Sequence, residues 1–260
     1  MDIGCIKLAN PEFAAYLDKR IPAAKDERPP MPHQLFRKVK FPVSFDSLVL
    51  HDGFLTYEEQ EGDEPGRIFF DRVSATLTGW GDADRVDVLN LHGTTRIMGK
   101  GAAEAWFKLY LNNPRDSFSL RASVDAMDLR DINPMMAKLV PISVHSGSLK
   151  RVEINTLEAN NSTATGNIDM IYNNLALKLH PTKPGFWHRV EQGFLTELVN
   201  LFLPSSNPGD DGKVKSGIIL AERDSSRGFF NFVWKSILSG IKSSVGVESK
   251  EQKKIRRSKK

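Results

Sequence analysis

The sequence has a single cysteine, Cys5, in 260 residues. One thiol can build neither a disulfide framework nor a structural zinc site. No stretch reaches the roughly 18 consecutive apolar residues of a membrane span. No basic start followed by an apolar run marks a secretory signal, so the expectation is a soluble chain or a piece whose targeting segment lies elsewhere. Nothing in the composition is extreme. With 40% hydrophobic and 26% charged residues, 19 Gly and 14 Pro, a fully disordered or collagen-like chain is excluded. The length suits one large or two small domains with a real core.

Catalytic patterns are missing too. The six His (33, 51, 92, 145, 180 and 188) include no pair at metal-ligand spacing. Gly93 to Gly101 resembles a phosphate loop, but five residues separate the glycines where four are needed, and Gly101 stands where Ser or Thr would hold magnesium. Gly81-Asp82-Ala83-Asp84 begins like a calcium loop and lacks the later Gly and Glu. No Gly-x-Ser-x-Gly elbow occurs. The sequence therefore predicts no catalysed reaction, no metal and no cofactor. His51 and His145 read as polar residues beside turns. Two sequons overlap at Asn160 and Asn161 and matter only in a glycosylating pathway.

The net charge of +4 is concentrated at one end. Residues 250–260 hold seven Lys/Arg and one Glu, so residues 1–249 sum to −2. A short basic run of this kind is a disordered solubilising end, a contact for an anionic membrane surface, or a nucleic-acid contact. The body has no basic stripe with interleaved aromatics, which disfavours nucleic acid.

The strongest positive signal is alternation. Residues 4–9 read as a strand, and Asn10-Pro11 as an N-cap opening a short helix to about Arg20. Residues 21–34 carry four prolines and read as a linker. From Phe41 the period is two, with a bulge near Leu48 and Leu50 and a hairpin turn at His51-Asp52-Gly53. Strands are expected near Val73–Leu77, Val86–Leu91, Thr94–Met98, Ala105–Leu111 and Phe118–Val124, the last two joined by a turn over 112–116. Asn133-Pro134 opens a second short helix to Leu139. Strands resume at Val152–Ile154, Ala164–Tyr172 and Leu175–Leu179, with a turn at Asn173-Asn174, and Gly217–Ala221 adds another. After Pro184 the period becomes helical: Trp187, Val190, Phe194, Leu198, Leu201 and Phe202 share a face, and so do Phe230, Val233, Trp234, Ile237, Leu238, Ile241 and Val245 over about 226–245.

His51-Asp52-Gly53-Phe54-Leu55 is similar to His145-Ser146-Gly147-Ser148-Leu149, 94 positions later, and each is followed by an alternating strand opening on Gly66 or Gly166. A strand–turn–strand module used twice would extend one sheet along an axis. Two readings of the apolar faces stand. Either they form the core of a sheet covered by the helices, or an open curved sheet presents a dry groove for acyl chains, where each buried CH₂ contributes about 0.8 kcal/mol.

The run Phe45-Asp46-Ser47-Leu48-Val49-Leu50-His51-Asp52-Gly53-Phe54-Leu55-Thr56-Tyr57 and the segment Ile142–Val152 resemble the strand–Gly turn–strand unit of AsmA-like envelope proteins. Ala164–Leu175 looks like the Gly…Tyr-x-x-Leu segment near the C-terminus of the Bacteroidota members. Glu222-Arg223-Asp224 with Phe229–Gly240 resembles their terminal helix. The resemblance covers about residues 35–248. It implies kinship with the bridge-like lipid-transfer proteins that include TamB and YhdP. These have a long twisted antiparallel sheet with an apolar concave face, anchored on the periplasmic side of the inner membrane and implicated in phospholipid passage and outer-membrane integrity. The chain's residues show no match to the family's N-terminal anchor and are few for the family, so the expectation is a C-terminal portion or a truncated product.

The expectation is therefore a mainly β chain: a curved, twisted antiparallel sheet with an open groove, a short N-terminal helix and two C-terminal amphipathic helices. It divides into a lead-in (1–34), a β-groove domain (35–182), helices (183–248) and a basic disordered tail (249–260). The groove positions are Phe107, Leu109, Leu111, Phe118, Leu120, Val124, Ile168, Met170 and Tyr172, each of which is otherwise an ordinary core position. Membrane contact falls to Phe230, Trp234 and Ile237 with Lys253, Lys254, Arg256 and Arg257, unless the helix caps the open end of the sheet. The partners are phospholipid or another acyl lipid, an anionic membrane and envelope proteins. The alternative is an envelope scaffold that binds proteins without lipid.

Overall fold

The computed structural model describes residues 2–21, 29–38, 44–80, 87–139, 142–180 and 203–258. Their alternation builds one open sheet of eleven strands. β1 (Asp2–Ala9) and β2 (Glu12–Asp18) follow one another along the same side of β3 (Ser44–Gln60), with helix α1 (Pro32–Lys38) in the connection. A meander then runs through β4 (Gly66–Trp80), β5 (Val88–Ile97), β6 (Gly101–Tyr110) and β7 (Phe118–Val124). The two-residue β8 (Met127–Asp128), a 3-10 turn (Leu129–Ile132) and helix α2 (Asn133–Leu139) lead to β9 (Ile142–Ala159) and β10 (Thr163–Leu179). β11 (Gly217–Glu222) closes the order, followed by α3 (Phe229–Ser244) and α4 (Lys250–Ser258).

The sheet is mixed, not wholly antiparallel, because β1 and β2 run parallel to β3. Residues 19–43 are long enough to carry the chain back to the starting end, as a parallel pair requires. The expected helix after Asn10-Pro11 is β2. Asn10 turns left-handed (φ 49°), and the bonds Asn10 N–H to His51 O and Phe54 N–H to Pro11 O hold the chain on β3. Backbone pairing overrides the cap-plus-proline signal. The two strands expected near Val86–Leu91 and Thr94–Met98 are one, β5, with Gly93 paired to Ala75 and Ala105 inside it.

Three expected turns are bulges. A two-residue hairpin of the Asp-Gly kind needs positive φ at both central residues. Here Asp52 alone of the pair is left-handed (φ 50°), and β3 runs straight through with a register shift between Leu50 and Gly53. Gly147 (φ 155°) lies inside β9 in the same way, and Asn174 (φ 55°) inside β10. The two similar pentapeptides thus sit in the first arms of two long hairpins, β3–β4 and β9–β10. Asn10, Asp52 and Arg72 (φ 49°, 50° and 51°) shift phase on neighbouring strands, so the apolar face stays continuous across the shift.

Lys250–Ser258, in the tail expected to be disordered, forms α4. Ser249 and Gln252 make a reciprocal cap: Gln252 N–H donates to Ser249 Oγ at 3.2 Å and Ser249 N–H to Gln252 Oε1 at 2.9 Å. The helix expected over Trp187–Phe202 and the segment Gly81–Asp84 lie outside the described residues.

The core forms where α3 crosses β10 and β11. Its contact face is small: Ser236 and Ser243 are fully buried, and a Cβ on Gly240 would stand 2.5 Å from Ile168 Cγ2 and 2.7 Å from Ile219 Cγ1. Gly217 answers it, since a Cβ there would stand 2.0 Å from Gly240 O. Close approach lets Phe232 and Val233 reach the cluster of Leu89, Leu109, Phe118, Leu120, Leu157 and Ile168. It also lets serines cap the strand edge. Ile218 N–H donates to Ser243 Oγ at 2.9 Å and Leu220 N–H to Ser239 Oγ at 3.0 Å. Gln252 Nε2 donates to Ile218 O at 2.6 Å and Arg256 to Ser216 O at 2.8 Å. The loop before β11 is tied down by Asn207, whose Nδ2 donates to Met170 O and Lys215 O while its Oδ1 accepts from Lys215 N–H.

Gly240→Ala is expected to overpack the α3–sheet contact and to lower stability by about 1–3 kcal/mol. Gly62→Ala, in the β3–β4 loop with nothing within 4 Å, serves as the control and is expected to be near neutral. Equal midpoints for the two variants in urea denaturation would show that the close approach carries no energy.

Candidate functional site

One face of the sheet is apolar from edge to edge. Register aligns Ile6, Leu48, Leu77, Leu91, Phe107, Leu120, Leu157, Gly166 and Ile219 in a single row crossing nine strands. The next row is Leu8, Leu50, Ala75, Gly93, Ala105, Ala122, Ile154, Ile168 and Gly217. The nine positions expected to line a groove share this face, but most lie in its closed half. Leu109, Leu111, Phe118, Leu120, Ile168, Met170 and Tyr172 are buried, and Phe107 and Val124 are half-buried. The protein itself fills the space above them. Phe229 and Phe232 meet Phe118 edge-on at 5.0 and 6.2 Å, and Tyr172 donates its hydroxyl to Pro204 O. The apolar face of α3 needs a place to be buried, and this half of the sheet supplies it. The seven buried residues are core, and an open trough over them is excluded.

Among the described residues, the other half keeps large apolar side chains exposed. Leu8 (39% exposed), Phe13 (51%), Leu55 (36%) and Leu91 (37%) lie on the same face over β1, β2, β3 and β5. Between the large side chains runs a lane of small ones. Ala75, Gly93, Ala105 and Ala122 are consecutive register partners on β4, β5, β6 and β7. Leu77, Leu91 and Phe107 stand along one side of it. At strand spacing near 4.8 Å, four strands give a lane about 14 Å long, perpendicular to the strands. Toward β9 it ends against Ile154 and Ile168, both buried. At the far end of β3, buried Glu59 accepts from the Tyr57 hydroxyl at 2.7 Å and is ion-paired with Lys19. The lane was not visible in sequence, because Ala and Gly carry no strand signal and their alignment exists only once register is set.

The expected membrane contacts divide in two. Phe230 (83% exposed) and Trp234 (48%) project one turn apart from α3. Ile237 is half-buried against the core and is not an outward residue. On α4, Lys253, Lys254 and Arg257 are exposed. Arg256 is a structural residue. It is ion-paired with buried Glu248 and also bonds Ser243 Oγ and Ser216 O.

Among the described residues no group of three His, Cys, Asp or Glu could hold a metal ion. The stretch that resembled a phosphate loop is the end of β5, a turn and the start of β6, with no helix after it. Among the described residues no helix is long and apolar enough to cross a membrane. Comparison with protein-family models, with curated proteins and with solved structures found no match.

Burial pushes the Glu248 carboxyl up, but hydrogen bonds from Arg256 and Ser243 outweigh it and hold the group below its ordinary value. A carboxylate with a lowered folded-state value contributes stability that is complete above its unfolded value and disappears as pH falls through the folded one. The wild type is therefore expected to lose α4 docking on acidification below the ordinary carboxylate range. Glu248→Gln should already be weaker at pH 7 and change less between pH 7 and pH 3. Parallel stability–pH curves for the two proteins would remove this pair from the acid response.

Proposed function

We propose that this chain is a non-enzymatic lipid-binding module whose apolar half-sheet, exposed among the described residues, holds acyl chains. The observation that carries the reading is the lane of Ala75, Gly93, Ala105 and Ala122 beside half-exposed leucines. A surface that excluded lipid would have no need of a contiguous apolar strip with a small-residue floor. Binding relies on apolar contact at about 0.8 kcal/mol per methylene, so ten or more methylenes suffice without a polar anchor. The motif resemblance to AsmA-like proteins supports a place in phospholipid passage at the periplasmic side of a bacterial envelope. Phe230 and Trp234, with the exposed lysines and Arg257 of α4, fit an anionic membrane surface, the aromatics in the interface and the cations at headgroups.

Native mass spectrometry of gently purified protein is expected to show bound phospholipid or fatty acid. Ala75→Trp, which fills the lane at its β4 end, should remove that mass while leaving the circular dichroism spectrum unchanged. A wild-type protein that is always at its apo mass, across mild detergents, would favour the scaffold reading and end this one.

In vesicle flotation, binding is expected to require anionic lipid and to fall steeply with salt. Phe230→Ala with Trp234→Ala should weaken it severalfold. Equal binding to neutral and anionic vesicles would refute the membrane contact.

A further inference from the structure

The two edges of the sheet are treated differently. At β11 the outward backbone groups are met by Ser239, Ser243, Gln252 and Arg256. At β1 and β2 they are not. Lys19 N–H donates to Gln60 O at 2.8 Å and Phe54 N–H to Pro11 O at 2.9 Å, which sets the phase of β2. Its odd-numbered residues turn their backbone groups to β3, and Glu12, Ala14 and Tyr16 turn theirs away. Asn10 N–H donates to His51 O at 2.9 Å, so in β1 the even-numbered residues face β3 and Cys5, Lys7 and Ala9 face outward. Among the described residues nothing bonds the outward groups of Lys7, Ala9, Glu12, Ala14 or Tyr16. Every residue from Glu12 to Tyr16 is exposed.

The left-handed Asn10 makes this edge selective. It flips the outward set from odd to even, so an unbroken strand laid alongside can satisfy one half of the edge and not the other. A strand with the same flip at its centre, running the opposite way, satisfies both. The chain itself is such a strand. Proline at 11 costs nothing there, because the Pro11 carbonyl already faces β3.

We propose that the β1–β2 edge is a two-fold interface between copies of this chain, β1 of each pairing antiparallel with β2 of the other. Ala9 then lies opposite the partner's Glu12, Lys7 opposite the partner's Ala14 and Cys5 opposite the partner's Tyr16, all with outward backbone groups facing one another. Side chains agree with backbone. Leu8 falls opposite the partner's Phe13 and Ile6 opposite the partner's Ala15, on the apolar face in both copies. Lys7 and the partner's Glu12 become diagonal neighbours of opposite charge on the other face. The capped β11 edge prevents head-to-tail growth, so the assembly stops at two.

The interface stands independently of lipid binding, and its test reads mass and register. Sedimentation equilibrium of the full chain is expected to show a concentration-dependent species of twice the 29.1 kDa chain mass. Ala14→Pro removes an outward N–H and no bond to β3, so it should give a folded monomer with an unchanged circular dichroism spectrum. Tyr16→Cys should form an intermolecular disulfide with native Cys5 on mild oxidation, because Cα atoms in such a pair stand about 5.5 Å apart. Ala14→Cys, which faces Lys7, should not. A wild type that is monomeric up to about 100 μM, where edge pairing of this kind should be populated, assigns the edge to another protein's strand and overturns the proposal. A dimer that Ala14→Pro leaves intact, or equal cross-linking of the two cysteine variants, overturns it as well.

Discussion

The structure depends on the contact of one helix with one strand edge. α3 lies close enough to β11 for its serines to take the place of a neighbouring strand, and that distance exists because Gly240 and Gly217 have no side chains. A sheet edge in water bonds to solvent, but a buried edge with unpaired N–H groups costs about 1–3 kcal/mol for each. Ser239 and Ser243 remove that cost at the point where Phe232 and Val233 desolvate the sheet. The helix can bury its apolar residues because its polar ones satisfy the backbone. α4 extends the arrangement through Gln252 and Arg256, so residues that carry a basic charge pattern also complete the fold.

The same contact decides which part of the apolar face is core and which is surface. A single row of register partners begins half-exposed at Ile6 and ends buried at Ile219. Nothing in the chemistry of the row changes along its length. What changes is the cover, supplied by α3 on one side and, among the described residues, absent from Leu8, Leu55 and Leu91 on the other. Alternation in sequence therefore predicts which face is dry and is silent on whether protein lies above it.

This is why the strands were legible and the site was not. β7 coincides with its expected span, and α2 and α3 begin within a few residues of the capping and periodic signals that announced them. The bulges were misread as turns because Asp-Gly and Asn-Asn favour left-handed backbone in either setting, and a two-residue turn needs positive φ at both residues where each pair here has it at one. β2 was misread because Asn-Pro is a cap signal in isolation, while its pairing to β3 is a long-range fact. α4 was legible in principle: Ser249-x-x-Gln252 is a capping box, overshadowed by the basic run that follows. The groove positions were chosen for large apolar side chains, the residues a helix covers first, whereas the uncovered lane is marked by the small ones.

The lane has a blind end. Its floor is Ala and Gly over β4 to β7, and at β9 and β10 it meets Ile154 and Ile168 under the helix. A flexible hydrocarbon laid in it from the β4 end would be stopped after a fixed number of carbons. Under the proposed lipid-binding reading, such a berth would act as a ruler, sorting guests by tail length and taking no account of the headgroup left outside.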